Sequence, residues 1–96
     1  MNVRKTIGWN MRKLRVERGL SQERVALETR LDRSYVGRIE RGMENVTISR
    51  LESIAELLGV PVAKLFDEPV KGEREPPPLK AGRKSVAPKR VLKNTR

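Results

Sequence analysis

Apolar residues recur every three to four positions from Ile7 to Phe66, and no stretch in between alternates apolar with polar as a half-buried strand does. A chain patterned this way can hide its apolar side chains only by packing helices on one another, so an all-α fold is expected. Breaks in the pattern divide it into five short helices. The first runs from about Val3 to Arg18, with Ile7, Met11 and Leu14 on one face and Gly19 suited to the left-handed conformation after its end. Ser21 caps a second that reaches Thr29 and turns Val25 and Ala26 inward; Arg24 stands where a full capping box needs Glu or Gln. Asp32 caps a third that extends to Arg41, with Val36 and Ile39 buried and Gly42 as its stop. A fourth starts at Thr47 or beside it, carries Ile48, Leu51, Ile54, Ala55 and Leu58 as one stripe, and ends at Gly59. Pro61 opens a short fifth, in which Leu65 and Phe66 are expected to return to the core.

The pattern stops after Phe66, and the composition changes with it. Residues 1–66 carry 13 basic and 8 acidic side chains; residues 67–96 carry 9 and 4, with no acid from Lys80 onward. The later stretch holds Pro69, Pro76, Pro77, Pro78 and Pro88 and has almost no apolar period, so it reads as a disordered basic tail. We place the folded domain at residues 1–68 and the tail at 69–96. The net charge of +10 over 96 residues points to a polyanionic partner, nucleic acid before an anionic membrane surface. With no Cys and no His, thiol and imidazole catalysis and thiolate zinc sites are excluded, and no cofactor or metal is expected. No apolar run approaches the roughly 18 residues of a membrane span, and the first residues lack the apolar stretch of a secretory signal. A cytoplasmic protein associated with the bacterial nucleoid is the expected setting.

Two short helices, Ser21–Thr29 and Asp32–Arg41, separated by two or three residues and flanked by packing helices, have the spacing of a helix-turn-helix. Ala26 suits the motif, because a small side chain lets the two helices approach. The series Leu14-Arg15, Gly19-Leu20-Ser21-Gln22, Val25-Ala26, Leu31-Asp32-Arg33-Ser34-Tyr35-Val36, Ile39-Glu40-Arg41-Gly42 and Ile54-Ala55-Glu56-Leu57-Leu58-Gly59-Val60 resembles the Cro/C1-type (XRE) helix-turn-helix family over residues 7–66. The resemblance implies a compact five-helix, lambda-repressor-like DNA-binding domain.

It also implies roles. Gln22 matches the glutamine that fixes the second helix against the DNA backbone and the adjacent recognition residues. Arg33, Ser34 and Arg38 match the base-facing positions of the third helix. Arg33 and Arg38 stand roughly 140° apart around the axis, flanking the exposed side, and an arginine fork can donate to guanine O6 and N7. At least one G·C pair in each half-site follows. Gly37 between them would offer a bare surface that lets the helix sit deep in the groove. Tyr35, Arg41 and Asn45 are placed for phosphates, although Tyr35 can also simply pack beside the turn. Arg15 and Glu40 match an ion pair between the first and third helices, the alternative for Arg15 being DNA. The chain departs from the pattern at Thr29 and Arg30, where the family commonly has a small or apolar residue and then Gly; a positive φ there would strain Arg30, which could also reach a phosphate. Trp9 flanks the inner face of the first helix, either covering the end of the domain or joining a protein interface.

The function that follows is a non-enzymatic, sequence-specific regulator of transcription, in most families of this shape a repressor. Its partner is double-stranded DNA, and a homodimer on an inverted repeat is expected; the resemblance implies that its contacts come from the fourth and fifth helices or just after them, the region Leu57 to Glu68. An antitoxin or a restriction-modification controller, each with a possible partner protein, would use the same domain. An adaptor binding protein through its helices and RNA or an acidic surface through its tail is the alternative from another class. For the tail, a solvated extension stands beside a source of nonspecific DNA affinity, where Lys80, Arg83, Lys84, Lys89, Arg90, Lys93 and Arg96 can each release a counterion.

Overall fold

The computed structural model describes residues 2–69, and the expected tail from residue 70 onward lies outside them. The described residues form four α-helices and one 3-10 helix, with no strand: α1 (Val3–Glu17), α2 (Gln22–Thr29), α3 (Arg33–Glu40), α4 (Ile48–Leu58) and a 3-10 turn at Val62–Phe66. The fifth element is therefore not an α-helix. Each α-helix begins with a side-chain oxygen on an orphan backbone amide: Asn2 on Lys5, Ser21 on Arg24, Asp32 on Ser34 and Thr47 on Arg50.

All four also end in one way. A residue with positive φ, namely Gly19, Arg30, Gly42 or Gly59, is followed by an amide that reaches back five residues: Leu20 to the Arg15 carbonyl, Leu31 to Ala26, Met43 to Arg38 and Val60 to Ala55. Three of these positions are glycine. The fourth, Arg30 at φ 62°, carries the left-handed strain that its sequence position foreshadows, about 1–2 kcal/mol for a residue with a Cβ.

The core collects Ile7, Met11 and Leu14 of α1, Val25 and Ala26 of α2, Val36 and Ile39 of α3, Leu51, Ile54, Ala55 and Leu58 of α4, and Leu65. Two residues expected inside lie outside. Ile48 is 71% exposed, because it occupies the first position of α4, beyond the edge of the packed layer. Phe66 is 42% exposed: a 3-10 helix has three residues per turn, so neighbours point about 120° apart and Leu65 alone fills the core position. The 3-10 turn is fastened to α1 by buried Asn10, whose Nδ2 donates to the carbonyls of Leu65 (2.9 Å) and Asp67 (2.8 Å). Trp9, beside it, is half-buried.

Helices α1 and α3 cross at unusually short range through Gly8. A Cβ built there would lie 2.5 Å from the Ile39 carbonyl oxygen and 2.6 Å from that of Glu40. Only glycine lets the end of α3 rest directly on the α1 backbone, and that contact sets the direction in which α3 projects from the domain.

Candidate nucleic-acid interface

Helix α3 is anchored from its buried side. Arg15, 5% exposed, donates from Nε to Glu40 Oε2 (2.6 Å), from Nη2 to Glu40 Oε1 (2.9 Å) and from Nη1 to the Leu20 carbonyl (2.9 Å). The Glu40 carboxylate also accepts from Gln22 Nε2 at 3.0 Å. One fork-to-fork pair thus ties α1, the start of α2 and the end of α3 into a single unit. Gln22 is held by this pair, so its amide oxygen is turned toward Gly37. Gly37 itself is buried and not a bare surface: a Cβ there would meet Arg41 Nη1 at 3.4 Å and Gln22 Oε1 at 3.8 Å. Those two polar heads cover the position at ordinary contact distance.

The opposite side of α3 faces outward. Arg33, Ser34 and Arg41 are exposed, with Arg38 and Tyr35 half-buried between them. Arg33 and Arg41 form no ion pair among the described residues, which leaves one uncompensated cation at each end of α3, Arg33 as its first residue and Arg41 as its C-cap. Asp32 caps the helix; its carboxyl is held below the ordinary value of 3.8 chiefly by hydrogen bonding with Ser34, which outweighs the opposing effect of desolvation, with lesser help from the Ser34 and Tyr35 backbone amides and the Arg38 charge.

Three side chains that sequence reasoning passed over complete this face. Glu44 Oε2 accepts from Arg38 Nε at 2.6 Å. Arg50, at the start of α4, lies 5.0 Å from the Tyr35 ring centre and donates from Nη1 to the Tyr35 hydroxyl at 3.2 Å. Because that oxygen accepts from Arg50, its own proton is free for another acceptor. Arg4 Nη1 donates to Asn45 Oδ1 at 2.8 Å, leaving the Asn45 amide hydrogens to donate outward. None of the three could be found from period or capping, because each partner lies in a different element or in the loop after α3.

A helix-turn-helix of α2 and α3, braced by α1 and α4, with uncompensated arginines on the exposed side of α3, has a match among known proteins. The sequence profile of the helix-turn-helix family fits residues 11–65. The chain belongs to the helix-turn-helix family. A hypothetical transcription factor of Neisseria meningitidis is 40% identical over 68 residues, covering 71% of this chain and 64% of that protein. The chain thus spans less than two thirds of that relative's length. Control protein C.BamHI of Bacillus amyloliquefaciens is 39% identical over 67 residues, covering 69% of this chain and 83% of that one. The restriction-modification controller protein C.Esp1396I, solved as a tetramer in complex with its natural 35 base-pair operator, superposes with a TM-score of 0.61 at 35% identity, covering 69% of this chain and 87% of the other. The match spans α2, α3 and the turn between them. No described helix is long and apolar enough to cross a membrane.

Proposed function

We propose that this protein is a sequence-specific, double-stranded DNA-binding regulator of transcription that acts as a homodimer on an inverted repeat, with repression as its mode. The observation that carries the reading is the exposed side of α3, where Arg33 and Arg41 stand without acidic partners among the described residues while the buried side is locked to α1 and α2 through Arg15, Glu40 and Gln22. A rigid helix presenting free cations suits the major groove. Arg33, Ser34 and Arg38 read bases; Gln22, Tyr35, Arg41 and Asn45 set the register on phosphates. One such helix reads only a few base pairs, so useful affinity comes from a second copy. Exposed Phe66 and half-buried Leu57 and Val62 support a dimer contact within Leu57 to Glu68.

A second reading, the restriction-modification controller, is favoured by the similar protein C.Esp1396I, which carries that role in its name. Methylase and endonuclease genes beside this one, together with binding to the DNA upstream of its own gene, would support it. Neighbours of unrelated kind would count against it.

The test of the main reading is the Arg33→Ala variant on a specific duplex and on random duplex. A loss of about 1–3 kcal/mol confined to the specific duplex is expected. An equal loss on both would remove Arg33 from base reading. Raising salt from about 50 to 200 mM should weaken binding about 10³–10⁵-fold if 6–10 phosphates are neutralised, and removing residues 70–96 should lower the salt slope without changing the preferred sequence.

A further inference from the structure

Of the three arginines on α3 and its C-cap, only Arg38 is ion-paired among the described residues, and its partner sits where a DNA-binding surface should least tolerate an acid. Glu44, two residues past the stop of α3 at Gly42, is three-quarters buried and holds Arg38 by a single contact, Oε2 to Nε at 2.6 Å. Arg38 also lies 5.8 Å from the Tyr35 ring centre, so its guanidinium is confined from two directions. A carboxylate beside the interface repels phosphate and lowers affinity for all DNA alike. Its presence is explained by what the contact leaves open. Bonding at Nε occupies one edge of the guanidinium and leaves the Nη1 and Nη2 hydrogens as a fork, the edge that can donate in parallel to guanine O6 and N7.

We propose that Glu44 is the positioning residue of Arg38, fixing its fork for one guanine and so trading general affinity for sequence preference. The proposal rests on the DNA-binding reading above. Arg33 and Arg41, lacking such a partner among the described residues, keep the rotamer freedom to follow the phosphates or adjust to more than one base. Arg38 is pre-ordered before DNA arrives, so less freedom is lost on binding and a misplaced acceptor is not accommodated.

The test uses the full chain and four duplexes differing only at the base pair whose preference Arg38→Ala abolishes, plus a random duplex. For Arg38→Ala, discrimination at that pair should fall about 5- to 150-fold. Glu44→Gln and Glu44→Ala should each flatten the same pair, about 3-fold or more, while affinity for random duplex rises and the thermal midpoint stays near that of the parent. The Arg38→Ala/Glu44→Ala pair should be no flatter than Arg38→Ala alone. A merely structural Glu44 would lower the midpoint and weaken every duplex equally, which overturns the proposal. Sharper preference in the Glu44 variants overturns it as well, since the carboxylate would then be a lock that competes with the base. If Arg38→Ala leaves every preference intact, the base-reading role of Arg38 fails together with the proposal; if the parent chain prefers no sequence, the regulator reading itself fails.

Discussion

Breaking the Arg15–Glu40 pair from one side should unfold the domain, whereas replacing both partners should not. The two side chains are 6% and 3% exposed, so neither charge is solvated, and the pair gains further hydrogen bonds to the Leu20 carbonyl and from the Gln22 amide. Arg15→Met removes three donors at once. Glu40 is then a buried carboxylate with only the Gln22 amide against it, a situation that costs about 3–5 kcal/mol. A core of this size supplies on the order of 3–5 kcal/mol in all, so the single variant should be largely unfolded in water. For about 66 residues each kcal/mol is worth about 7 °C, which puts the midpoint some 20–35 °C below the parent. In Arg15→Met/Glu40→Leu the unpaired charge disappears, and what remains lost is roughly 1 kcal/mol for each of the two bonds to Leu20 and Gln22. The double variant should therefore be within about 2 kcal/mol of the parent and markedly more stable than either single one. Urea denaturation followed by far-ultraviolet circular dichroism and by the fluorescence of Trp9, the sole tryptophan, measures all of these together. An Arg15→Met variant within 1 kcal/mol of the parent would refute the claim that this pair anchors α3.

Gly8→Ala should destabilise by about 1–3 kcal/mol despite the better helix propensity of Ala, because the new Cβ meets backbone oxygens that cannot swing aside; a more stable variant in thermal melts would contradict the close crossing of α1 and α3. Arg30→Gly should raise stability by about 1 kcal/mol through relief of the left-handed strain, and a concurrent drop in DNA affinity would reveal a phosphate contact, whereas a loss of stability would show the turn is unstrained. Asp32 titrates lower when folded, so its support of α3 is present above pH 3.8 and is lost as pH falls through the depressed folded value; the stability gap between the parent and Asp32→Asn, followed by urea melts, should close on acidification, and a constant gap would mean the carboxylate does not cap as a charge.

Helix positions were legible in the sequence because they are set by local chemistry. Ser21, Asp32 and Thr47 each cap the amide their type predicts, and Gly19, Gly42 and Gly59 each take the left-handed turn that stops a helix. The strain at Arg30 was legible for the same reason, since a turn that wants glycine announces itself when another residue stands there. Contacts between elements were not. Gly8 looks like an ordinary residue within a helix until α3 is laid across it, and Asn10 has no signal in its own period because its partners are carbonyls 55 and 57 positions away. Glu44 was hidden likewise: a loop acid beside a basic helix reads as solvated charge, and only the return of the chain past Gly42 brings it onto Arg38. Phe66 misled in the opposite sense, since apolar character alone does not say whether the last turn is α or 3-10.

The most direct measurement is selection of bound sequences from a pool of random duplex DNA by the purified full chain. Enrichment of an inverted repeat is predicted, with half-sites about 34 Å or a multiple of it apart and at least one G·C pair in each half. A pool that stays random after repeated rounds, or one that converges on single-stranded or unrepeated sequence, would contradict DNA reading by paired α3 helices.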